Sequence, residues 1–104
     1  HHNLGFLKFD RVTLHHHAYD VGDWQAIKAV LDWCAAQAVR VEVGPVRHAA
    51  GNNIAVYIRD PFGVRVEFFC EMEAIADDED HDTRRQPVVF DLWHCTPPPP
   101  GYRD

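Results

Sequence analysis

Residues 44–67 read GPVRHAAGNNIAVYIRDPFGVRVE, and the turn within them decides how the sheet is arranged. Two runs, Ile54 to Arg59 and Val64 to Phe69, are rich in β-branched and aromatic residues, as strands are. Between them, Asp60-Pro61-Phe62-Gly63 reads as a type I turn. Proline suits its second position, and Gly63 suits a left-handed residue after it. Such a turn, closed by a glycine bulge, pairs Asp60 with Val64. Three positions back along the antiparallel ladder, Tyr57 falls opposite Glu67 on one face. Ile54, Val56 and Ile58 fall on the other face with Val66 and Phe68. Glu67 is then a carboxylate inside an apolar strand, pointing away from the buried side. It is either a solvent-facing residue or a ligand lining a cup.

Working outward, Asp23 suits an N-cap for a helix from Trp24 to about Gln37. Trp24, Ile27, Val30, Leu31, Cys34, Ala35 and Ala38 form a stripe at helical period, so one face packs on a sheet. Residues 11–19, RVTLHHHAY, read as a strand, and residues 4–9, LGFLKF, as a shorter one. Val39 to Val43 reads as a strand closed by Gly44-Pro45, and Val88 to Trp93 as a short edge strand. The order β-α-β-β-β gives an α+β fold: a mixed sheet forming a cup, with the helix on its outer face. Residues 1–76 are expected to form this module. Residues 77–104 are expected to form an acidic, proline-rich tail, with DDED at its start and Pro97 to Pro100 near its end.

Strand alternation sets Leu14, His16 and Ala18 on one face and His15, His17 and Tyr19 on the other. Which of the three imidazoles meets Glu67 depends on register, so all three stand as candidates. His48, in the loop after Gly44-Pro45, is by itself a weak signal.

At 104 residues and 46% apolar, the chain is one small folded domain. A net charge of -6 without a basic stripe excludes a nucleic-acid surface. No apolar run reaches the roughly 18 residues of a membrane helix, and no secretory signal is visible, so a cytoplasmic location is expected. Cys34, Cys70 and Cys95 form no C-x-x-C pair and read as free thiols.

Four segments in order, HHNLGF, LHHHAYDV, GPVRHAAGNN and YIRDPFGVRVEFF, resemble the C-terminal module of the type I extradiol ring-cleavage dioxygenases of the vicinal oxygen chelate superfamily. They cover roughly residues 1–72. The resemblance implies Fe(II), or Mn(II), held by His16 and Glu67. It implies that His48 lies near substrate and oxygen, and that Tyr57 hydrogen-bonds a substrate oxygen. It makes His2 an acid–base group. The implied partners are a catechol-type substrate and O₂, with the ring opened beside its hydroxyls. Two departures are visible: His17 replaces an aliphatic residue, and Tyr19 replaces phenylalanine. The family's first iron-binding histidine belongs to a preceding module that these 104 residues do not include. A second module or self-association is therefore expected. Two other readings stay open. Two copies could build a two-histidine, two-glutamate site of the glyoxalase type, or the cup could bind an aromatic molecule without catalysis.

Overall fold

The computed structural model describes residues 4–6, 8–76, 89–95 and 97. Strand β1 (His17–Asp20) leads to helix α1 (Trp24–Ala36), followed by β2 (Val41–Arg47), β3 (Ile54–Arg59) and β4 (Arg65–Cys70). The four strands form one sheet in the order β1-β4-β3-β2. β1 runs parallel to β4, and the other two pairings are antiparallel. This is the expected mixed βαβββ module.

The hairpin behaves as its turn residues require. Asp60 N donates to Val64 O and Gly63 N to Asp60 O, each at 2.9 Å. Asp60 Oδ1 also accepts from Phe62 N and Val64 N, which locks the turn. Gly63 has φ 82°, the left-handed conformation expected of it. The register then sets Tyr57 opposite Glu67.

Asp23 caps α1 by accepting from Ala26 N at 2.9 Å. At the other end, Val39 N reaches Cys34 O and Ala38 N reaches Ala35 O, a Schellman closure. Ala38 takes the left-handed position there, with φ 55°. The buried stripe of the helix, Ile27 and Cys34, packs on the outer face of the sheet against Ile54, Val56, Ile58, Val66 and Cys70.

Three expected strands differ. Residues 11–16 are not in the sheet. The parallel register that sets His17 opposite Val66 would carry residues 11–14 past the start of β4 onto the Asp60–Gly63 turn, which offers no ladder. Residues 4–6, 8 and 9 form no strand, since neither β1 nor β2 pairs with them on its open edge. Residues 89–95 form turns instead of an edge strand; residue 88 lies outside the described residues. The Asp91 side chain captures backbone N–H groups that a ladder would need. β2 differs in the opposite sense. It continues through Gly44-Pro45 to Arg47, with register shifts on either side of Val43. Such bulges are where a strand admits proline. Gly44 is required there: a Cβ would lie 2.7 Å from Ala55 O.

One ion-pair cluster ties the sheet together across β3. Glu42 on β2 accepts bidentate pairs from Arg59 (2.9 and 3.1 Å) and from Arg65 on β4 (2.8 and 2.9 Å). The Arg65 hydrogen bonds come first among the causes that hold the Glu42 carboxyl at about 2, far below its ordinary value.

Candidate active site

The inner face of the sheet, opposite α1, gathers the polar residues. Alternation along β3 turns Ala55 and Tyr57 inward, and pairing with β4 brings Glu67 beside Tyr57. Tyr57 is 2% exposed, Asn53 3%, and His48 and Glu67 5% each. Val43, Val46 and Ala55 pack around Tyr57, with Phe69 and Phe90 against them. A carboxylate at this depth needs polar partners, and it has two. His16 Nε2 lies 2.9 Å from Glu67 Oε2. Asn53 Nδ2 donates to Glu67 Oε1 at 3.3 Å.

The three consecutive histidines separate by face. His16 points to Glu67, and its ring stands edge-on to Tyr57 with centroids 5.5 Å apart. His17 turns to the outer face, where Nδ1 lies 3.1 Å from Tyr19 Oη. Tyr19 in turn stacks on Phe68. His15 contacts the His16 ring and lies beside Arg65.

His48 is brought in by the loop after β2. Its backbone N donates to Asn53 O at 2.9 Å, closing the loop. Its Nε2 lies 2.8 Å from Tyr57 Oη, and its Nδ1 lies 3.1 Å from Phe90 O. His16, Glu67, Tyr57 and His48 thus share one face, while His2 lies outside the described residues.

Two contributors escape the sequence reading. Asn53 precedes Ala55 and Tyr57 at strand period, so alternation alone places it on the inner face. Phe90 has no such signal, because its carbonyl meets a ring 42 residues away.

Among the described residues, no group of three or more His, Cys, Asp or Glu gathers closely enough to hold a metal ion. The donors present are one imidazole and one carboxylate, His16 and Glu67, a nitrogen–oxygen pair of a kind that divalent metals accept. His16 Nε2 and Glu67 Oε2, 2.9 Å apart at hydrogen-bond distance, are the two donors that could face one ion.

The Glyoxalase/Bleomycin resistance protein/Dioxygenase superfamily profile matches residues 1–68, and the chain belongs to that superfamily. Among solved structures it is similar to the 2,3-dioxygenase LapB from Pseudomonas sp. KL28, at 27% identity and TM-score 0.57. That match covers 62% of this chain and 23% of LapB. A mutant homoprotocatechuate 2,3-dioxygenase from Brevibacterium fuscum matches at 28% identity and TM-score 0.62, over 76% of this chain and 23% of that one. The Arthrobacter globiformis homoprotocatechuate 2,3-dioxygenase matches at 28% and 0.59, over 78% and 27%. The chain thus spans about a quarter of the length of these enzymes. A comparison with curated proteins gave no match.

Proposed function

We propose that this chain is the catalytic module of an extradiol ring-cleavage dioxygenase, which opens a catechol-type ring beside its hydroxyls with Fe(II) and O₂. The observation that carries the reading is His16 at 2.9 Å from the buried Glu67 carboxylate, on the face that also holds Tyr57 and His48. Similarity to 2,3-dioxygenases from three sources supports the same class.

His16 and Glu67 would hold the metal, with a third ligand from a preceding module or a second copy. Fe(II), when bound, supplies a Lewis acid for adjacent catechol oxygens and an electron path to O₂. The residues of the chain do the rest. Tyr57 would hydrogen-bond a substrate oxygen, and His48, 2.8 Å from its hydroxyl, would hold or return a proton. Val43, Val46 and Ala55 pack around Tyr57 and would keep water from its ring. Asn53 holds one Glu67 oxygen and so leaves the other to the metal. His2 is assigned the acid–base role that its segment implies.

The test loads the chain with Fe(II) without air, adds catechol, then admits O₂. Oxygen uptake matched by a yellow ring-opened product is expected, from the chain alone if two copies complete the site, or with a histidine-bearing module otherwise. Retention of zinc or nickel with no oxygen uptake would instead identify a paired glyoxalase-type site. Absence of any metal binding would reduce the chain to a small-molecule-binding module.

A further inference from the structure

The segment around Asp91 has no part in the chemistry above, yet it controls one end of His48. Phe90 O lies 3.1 Å from His48 Nδ1. A peptide carbonyl only accepts, so Nδ1 carries the proton. In the neutral ring, Nε2 is then a bare lone pair. It lies 2.8 Å from Tyr57 Oη, so the phenol donates to it.

Asp91 places that carbonyl. Its side chain is buried, and it sits one residue after Phe90. Oδ1 accepts from Arg47 N at 3.1 Å and Trp93 N at 2.9 Å, and Oδ2 accepts from Cys95 N at 2.8 Å. Leu92 N donates to Arg47 O at 2.7 Å. Both backbone groups of Arg47, the residue before His48, are thereby committed to residues 91 and 92. The Arg47 guanidinium lies over the Trp93 ring at 5.4 Å, a second clamp on the same segment. The Phe90 ring meets the His48 imidazole edge-on, with centroids 5.4 Å apart.

We infer that Asp91 is a positioning residue: by pinning residues 90–95 to Arg47, it fixes the Phe90 carbonyl on His48 Nδ1 and makes Nε2 the acceptor of the Tyr57 proton. The use of that tautomer rests on the proposed function. A substrate hydroxyl at Tyr57 gives its proton to the phenol oxygen as the phenol proton moves to His48 Nε2. The products are a substrate oxyanion, a neutral tyrosine and an imidazolium whose Nδ1–H still faces Phe90 O.

The test needs neither metal nor substrate, so its failure is separate from failure of the dioxygenase reading. The metal-free full chain, labelled with ¹⁵N-histidine, is examined by long-range ¹H–¹⁵N correlation at neutral pH. The wild type should show a protonated Nδ1 and a bare Nε2 at His48. D91A should lose that separation while the signals of the other histidines stay in place. Tyr57→Phe should keep it, because the carbonyl sets the tautomer. If D91A does not fold, Asp91→Asn carries the test. Its amide sets an N–H₂ group against backbone donors and should weaken the separation. A proton on Nε2 in the wild type would overturn the inference, as would an unchanged pattern in both Asp91 variants or a reversed one in Tyr57→Phe.

Discussion

Replacing Glu42 with glutamine tests the cluster that joins β2 to β4 across β3. Glu42 accepts four hydrogen bonds from two guanidinium groups, and the Arg65 side chain is only 11% exposed. Holding the Glu42 carboxyl at about 2, against an ordinary value of 4.5, corresponds to a ceiling of about 3 kcal/mol at 1.36 kcal/mol per pH unit. The Arg59 side chain is about half exposed, so solvent screens its share. Glu42→Gln should therefore destabilise the fold by about 2 kcal/mol at pH 7, through the charge lost from four charge-assisted hydrogen bonds, two of them from the largely buried Arg65. Urea unfolding at a series of pH values reads this directly. Because the folded-state value lies below the unfolded one, the folded chain binds fewer protons in that interval. The contribution of Glu42 is complete above about pH 4.5 and is lost as pH falls toward about 2. Wild type and Glu42→Gln should differ at pH 7 and converge near pH 2. Equal stability at pH 7, or an undiminished difference in acid, would refute the reasoning.

Ala38 occupies the left-handed position of the α1 Schellman closure without being glycine. Ala38→Gly should raise stability by about 1 kcal/mol in the same assay, and a loss would contradict the cap assignment. Asn53→Ala frees one oxygen of Glu67 and should weaken metal affinity about tenfold to a hundredfold by calorimetric titration; unchanged affinity would remove its supporting role. Burial pushes the Cys34 and Cys70 thiols up, whereas Cys95 is exposed. A thiol reagent should therefore modify Cys95 first in the native chain, and rapid labelling of Cys34 or Cys70 would contradict the described core.

The inner face was legible where local chemistry sets geometry. The Asp60–Gly63 turn admits one ladder, and that ladder fixes Tyr57 opposite Glu67. The apolar stripe of α1 likewise finds Ile54, Val56 and Ile58 because period and alternation agree. Choosing among His15, His16 and His17 was harder, since it depends on where β1 enters the sheet. That entry is set by the start of β4, about 50 residues on. β2 ran past its expected end because bulges around Val43 absorb Gly44-Pro45, and a bulge depends on the partner strand. The Asp91 knot was illegible for a related reason. Its carboxylate accepts from one backbone N–H 44 residues away, with no periodic pattern to announce it.

Anaerobic calorimetric titration of the chain with Fe(II), comparing wild type with Glu67→Gln, His16→Ala and His17→Ala, addresses the central claim most directly. The wild type should bind iron. Glu67→Gln and His16→Ala should each lose at least about a hundredfold in affinity, because each removes one donor of the 2.9 Å pair. His17→Ala should bind as the wild type does, since its ring lies on the outer face with Tyr19. Full iron affinity in Glu67→Gln, or its loss in His17→Ala, would contradict the account.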